Sequence, residues 1–203
     1  MHATRIDRGS TDTTTIYSEG GDLVFERTFD APRERVWRAF TDPKLVAQWW
    51  GRGNKLVVER MEVERGGHWR FVEHSPEGVH GFEGRYREVT PMERIVHTFE
   101  WDGMPGHVAI ETATFEDLGN GRTKVVNVSL FHTTEERDGM LHSGMEQGLE
   151  QSYAALDRLL AKLAWRVRSG SARRAVVQRA PSRSMATRKR SSSRSASRSS
   201  SDS

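Results

Sequence analysis

Apolar positions recur at two different periods along this chain, and each change of period marks an element. Between Phe29 and Gly51, FDAPRERVWRAFTDPKLVAQWWG, the spacing is helical: Val36, Trp37 and Phe40 stand at i, i+1 and i+4. Asp30 with Pro32 predicts a cap followed by proline in a first turn, and Asp42-Pro43 repeats the device. The second short helix runs into Trp49-Trp50, with Gly51 as its stop. Ahead of both, Leu23-Val24-Phe25 and Phe29 read as a first strand.

After Gly51 the period falls to two. Strand-like runs cover Lys55–Glu64, His68–His74, His80–Val89, Ile95–Trp101, His107–Asp117 and Thr123–Phe131. Turn chemistry separates them, including Gly66-Gly67, Pro76-Glu77-Gly78 and Gly119-Asn120-Gly121. This spacing predicts an antiparallel meander of hairpins. Aromatic residues share one face of several runs: Trp69 and Phe71; Phe82, Gly84 and Tyr86; Ile95, His97, Phe99 and Trp101. In the last run either Val125, Asn127, Ser129 and Phe131 or Val126, Val128 and Leu130 face inward, and the pattern leaves both open.

Thr133, with Glu136 three residues on, predicts a capping box opening a helix that continues to about Trp165. At 1.5 Å per residue this helix is roughly 45 Å long, and it needs a sheet to lie along. Its apolar stripe changes character midway. Leu156, Leu159, Leu160 and Leu163 suit a core-facing helix, but Gly144, Gly148 and Ser152 are small. A glycine inside a helix costs about 1 kcal/mol against alanine. Either the helix packs very close to the sheet there, or it leaves room for something else.

The overall charge of +3 hides a division. Residues 1–165 hold 20 Lys and Arg against 27 Asp and Glu, whereas residues 166–203 hold 11 against a single Asp. The expected organisation is a flexible segment over 1–21, a domain over 22–165 and a disordered Ser/Arg-rich tail over 166–203. The tail could attract nucleic acid electrostatically, but it lacks the interleaved aromatics of a stacking surface and reads as a solvated extension. No run is long enough to span a membrane, and no secretory leader is evident, so a cytoplasmic location is expected.

Chemistry-bearing motifs are sparse. The chain has no cysteine and no phosphate loop, dinucleotide fingerprint or nucleophile elbow. Its histidines are scattered without metal-ligand spacing, so neither a metal nor a cofactor is expected. His97 lies on the aromatic face and Glu73 shares the parity of Trp69 and Phe71. A buried carboxylate beside a histidine could act as an acid/base pair, and these two are the catalytic candidates.

Four blocks resemble one family. They are Phe29–Gly51, GGHWRF at Gly66–Phe71, GFEGRYREVTPMERIVHTFEW at Gly81–Trp101, and GMEQGLEQSYAALDRLL at Gly144–Leu160. Together the stretch from Leu23 to Leu163 resembles the family named for homology to the activator of the heat-shock-protein-90 ATPase. That family belongs to the START-like, birch-pollen-allergen-like (SRPBCC) superfamily. The resemblance implies an α+β helix-grip fold. In it a curved antiparallel sheet, here of about seven strands, wraps a long C-terminal helix, with two short helices after the first strand closing one end of an apolar cavity. The superfamily includes lipid and sterol carriers, polyketide cyclases and chaperone-associated domains. The eukaryotic chaperone activators carry an additional N-terminal domain, for which the segment before Leu23 is too short.

The leading expectation is a protein that binds a small hydrophobic or amphipathic ligand, such as a lipid, a polyketide-like aromatic or a xenobiotic. Trp50, Trp69, Phe71, Phe82, Phe99, Trp101 and Phe115 are the candidate walls, and Gly144, Met145 and Gly148 the candidate helix side. The alternatives are a cyclase or hydrolase in the same cavity and a chaperone-associated interaction module. A homodimer through an exposed strand edge is also in keeping with the pattern.

Overall fold

The computed structural model describes residues 5–10 and 14–177. Nine strands form one sheet: β1 (Arg5–Ser10), β2 (Thr14–Glu19), β3 (Asp22–Phe29), β4 (Lys55–Met61), β5 (His68–Ser75), β6 (Gly78–Thr90), β7 (Arg94–Trp101), β8 (Ala109–Gly119) and β9 (Arg122–Leu130). The order across the sheet is β1-β2-β3-β9-β8-β7-β6-β5-β4, antiparallel at every pairing. Two helices, α1 (Arg33–Thr41) and α2 (Pro43–Val46), carry the chain from β3 to the far edge, and a meander of hairpins brings it back. Irregularities at Val58/Arg60 in β4 and Tyr86/Glu88 in β6 add local twist, and the sheet is curved.

The described part of the segment 1–21 departs from expectation. It supplies β1 and β2, which raise the strand count from about seven to nine. The reason is local. Gly20-Gly21 is a two-residue hairpin turn between the paired residues Glu19 and Asp22, with Gly20 at φ +59°. It folds the Thr, Ile and Tyr of β2 against β3, placing Ile16 opposite Phe25 and Tyr17 opposite Val24.

The helix starts follow their caps closely, with one shift. Pro32 itself, rather than Asp30, is the N-cap residue of α1. Asp42 caps α2 as expected, accepting from the Lys44 N–H at 3.0 Å. Thr133 opens α3 (Thr134–His142), its hydroxyl accepting from the Glu136 N–H at 3.2 Å. The Glu136 carboxylate reaches back one residue further, to the His132 N–H at 3.1 Å.

The single long helix expected from Thr133 is two helices, α3 and α4 (Met145–Val177). Gly144 lies between them at φ +85°, the left-handed conformation that closes a helix and that L side chains rarely adopt. Among the described residues, those up to Val167 form one compact unit, and those from Arg168 on belong to a second. Helical structure continues over 166–177, where the tail was expected to begin. The rest of the expected tail, 178–203, lies outside the described residues. No helix among the described residues is long and apolar enough to cross a membrane.

The core lies between the sheet and α4. Leu156, Leu159 and Leu160 are buried there with Phe29, Val36 and Val125. α1 and α2 close one end: Trp49 donates its indole N–H to the Ala39 carbonyl at 2.9 Å, and Trp37 and Phe40 stack edge-on against Phe115. At Gly84 the sheet admits no side chain. An added Cβ would lie 1.7 Å from the Thr98 carbonyl oxygen and 2.7 Å from the Trp69 indole nitrogen. We expect Gly84→Ala to lower unfolding free energy by more than about 2 kcal/mol in urea denaturation, because backbone as well as side chain must move. A variant as stable as the parent would show that this contact yields freely.

Candidate functional site

A cavity of about 450 Å³ opens between the inner face of the sheet and α4. Its aromatic wall comes from alternate positions of β5, β6 and β7, as period two requires. Trp69 and Phe71 have ring centroids 4.9 Å apart, and Phe82 and Phe99 5.8 Å. Trp50, from the turn after α2, stacks edge-on against Phe71 at 5.3 Å and Phe82 at 4.9 Å. Trp101 reaches the cavity too, with its ring 6.2 Å from that of His80. On the helix side Met145, Gly148, Leu149 and Ser152 face this wall.

One expected wall residue and one expected helix-side residue lie elsewhere. Phe115 is 3% exposed and packs between Trp37 and Phe40 in the core, outside the cavity. Gly144 does not line the cavity either; its glycine serves the break between α3 and α4. The ambiguous strand is also resolved. Val125, Asn127, Ser129 and Phe131 point inward, and Asn127 and Ser129 put polar groups on the cavity wall.

Gly148 borders the cavity for a reason the stripe did not reveal. A Cβ there would lie 2.5 Å from Cδ of Arg52. The space is already taken by the aliphatic stem of that arginine. Arg52 follows Gly51 at φ +53°, and its N–H donates to the Ser152 hydroxyl at 3.2 Å. The Ser152 hydroxyl in turn donates to the Trp50 carbonyl at 2.9 Å. The small residues of α4 therefore dock the turn that follows α2.

That docking delivers the guanidinium to Glu73, whose residue is fully buried. Arg52 donates from Nε to Oε1 at 3.1 Å and from Nη2 to Oε2 at 2.6 Å, and Asn54 Nδ2 donates to Oε1 at 2.6 Å. This bidentate pair is the strong form of a charge-assisted contact. The two catalytic candidates consequently do not work as a pair. Glu73 is engaged by Arg52 and Asn54, and the histidine opposite it in register is His80. His97 belongs to a different group, with Glu111, Ser129 and Tyr86 around it.

Arg52, Asn54 and Glu111 are the polar groups that sequence reasoning missed. Glu111 shares the parity of Ala113, which also lines the cavity, so a signal for it existed. Arg52 carried none, because its role depends on a left-handed turn and a contact with α4. Among the described residues no three His, Asp or Glu side chains converge as a metal site requires.

Residues 30–161 match the family described as activator of Hsp90 ATPase homolog 1-like proteins. The chain belongs to this family. Solved structures agree with that membership. A Rhodobacter sphaeroides protein is 28% identical, with a TM-score of 0.64 over 79% of this chain and 99% of that one. A Chromobacterium violaceum protein is 30% identical, with a TM-score of 0.59 over 68% and 96%. An Arthrobacter aurescens protein, 22% identical over 72% and 91%, shares the fold with a TM-score of 0.67. No curated protein matches the chain. The activator-homolog match begins at Asp30 and so spans α1, α2, the meander, α3 and α4 as far as Ala161, but not β1, β2 or β3.

Two predictions follow from the buried polar groups. Arg52→Ala leaves the buried Glu73 carboxylate without its counter-charge, and should cost about 2 kcal/mol in chemical denaturation. Arg52→Ala combined with Glu73→Leu should recover much of that loss, whereas an additive double variant would show that the two side chains act separately. Burial also pushes the Tyr153 and Tyr86 phenols above the usual tyrosine range. The folded state then holds protons that the unfolded chain releases at about pH 10, so stability should fall as pH rises beyond that value. Tyr153→Phe should flatten this alkaline limb in a series of melts; an unchanged slope would exclude Tyr153 as its source.

Proposed function

We propose that this chain binds a small apolar or amphipathic molecule in the cavity between its sheet and α4. The observation that carries the reading is an aromatic-walled space of about 450 Å³ beside a helix whose middle is small. That volume falls within the roughly 300–1,000 Å³ of small-molecule sites. The family's fold commonly takes hydrophobic ligands, which adds support. Burying about 200 Å² of apolar ligand surface, at about 25 cal/mol per Å², is worth about 5 kcal/mol before ordering costs. The indoles of Trp50, Trp69 and Trp101, with Phe71, Phe82 and Phe99, supply the receiving surface, and Met145 gives it an adaptable edge.

A cavity-filling variant tests this without disturbing Arg52. Leu149 is half-buried on α4 and faces the space. Leu149→Trp should weaken binding of N-phenyl-1-naphthylamine, followed by its fluorescence, at least about tenfold while the melting temperature moves by only a few degrees. Undiminished affinity in a folded variant would place the probe outside the cavity.

A further inference from the structure

Two groups of polar side chains at the cavity differ in how fully they are satisfied. Arg52, Asn54 and Glu73 satisfy one another. The second set, on β6, β7 and β8, does not close. His97 Nδ1 lies 3.1 Å from the Thr98 carbonyl oxygen. A carbonyl can only accept, so Nδ1 carries the hydrogen, and in the neutral form of the ring Nε2 presents a lone pair. That nitrogen lies 3.9 Å from Oε2 of Glu111, too far for a hydrogen bond. Two acceptors thus face each other across a gap. The other carboxylate oxygen, Oε1, accepts from the Ser129 hydroxyl at 3.3 Å, and no Lys or Arg among the described residues pairs with Glu111.

We propose that this gap is an amine subsite: the cavity takes an aromatic or apolar molecule bearing a protonated amine, whose N–H groups bridge Glu111 Oε2 and His97 Nε2. The inference rests on the cavity being a ligand site. A nitrogen about 2.8 Å from each of two atoms 3.9 Å apart subtends roughly 90°, which two hydrogens of an ammonium can span. An alcohol offers one hydrogen and leaves one acceptor unmet. A carboxylate offers none and adds repulsion. Tyr86 sits opposite His97 in register, 5% exposed, with the two rings 5.9 Å apart.

The charge around the cavity agrees. Among its described lining residues the permanent charges are Arg52 against Glu73, Glu77 and Glu111, with His80 and His97 as the titratable neighbours. The pairing of Arg52 with Glu73 leaves the remainder negative. Trp69 stands 5.4 Å from the His97 ring, at an interplanar angle of 81°.

Three probes of one skeleton test the proposal by calorimetry on the full chain: 2-naphthylmethylamine, 2-naphthalenemethanol and 2-naphthoic acid at pH 7.5. The amine should bind at least about fivefold more tightly than the alcohol, and the acid most weakly. In E111Q the amine should lose this advantage while the alcohol keeps its affinity. Equal affinities, or an acid that binds best, would overturn the amine subsite and leave the cavity reading standing. No binding by any of the three at millimolar concentration would overturn both. If E111Q does not fold, as circular dichroism would show, the ranking of the three probes on the parent protein decides alone.

Discussion

A buried carboxylate has few permitted surroundings, and Glu73 imposes them on much of this molecule. Its residue is fully buried on β5, where period two directs it inward beside Trp69 and Phe71. An ionised group there needs both a counter-charge and hydrogen-bond donors. Arg52 and Asn54 supply them from the turn after α2. To reach Glu73, that turn must lie against α4, and Ser152 and Gly148 are the residues that let it. The position of Trp50 follows, since its carbonyl accepts from Ser152 while its ring meets Phe71 and Phe82. One burial requirement therefore links the sheet, the turn, the helix and one wall of the cavity.

The same linkage explains why the space is left unfilled. Along α4, Leu156, Leu159 and Leu160 pack against the sheet, and Tyr153 meets Phe29 edge-on. One turn earlier the helix spends its inner positions on Ser152 and Gly148, both committed to Arg52. Large side chains there would fill the cavity but displace the guanidinium from Glu73. Closure at the end of α1 and α2 comes instead from Trp49, Phe40 and Phe115. Well-packed interiors seldom keep voids larger than a water molecule, so a persistent one needs such a competing demand.

Much of the architecture was legible because it rests on local chemistry. Asp42-Pro43 and Thr133 with Glu136 are caps, and alternation on β5, β6 and β7 names the aromatic wall directly. The misses share a cause: they depend on contacts between residues distant in sequence, or on backbone conformation. Gly144 and Gly148 looked like two members of one stripe, yet one ends a helix at positive φ and the other yields to Arg52. Phe115 has the right parity for a wall, but α1 sits over it. Composition alone marked 1–21 as loose, when the Gly20-Gly21 turn already announced a hairpin.

Glu73 and Glu111 show how one residue type acquires two meanings in one cavity. Both point inward from strands, and parity cannot distinguish them. Glu73 meets a guanidinium fork, so its charge is neutralised in place and both its oxygens accept hydrogen bonds. Glu111 meets a serine hydroxyl and an imidazole nitrogen beyond hydrogen-bond reach. The first arrangement is complete without any other molecule and serves the fold. The second keeps unspent acceptor capacity on the wall of an aromatic space, with the His97 imidazole as its ionic neighbour among the described residues. The family match covers both, since His97, Glu111 and the aromatic wall all lie within residues 30–161.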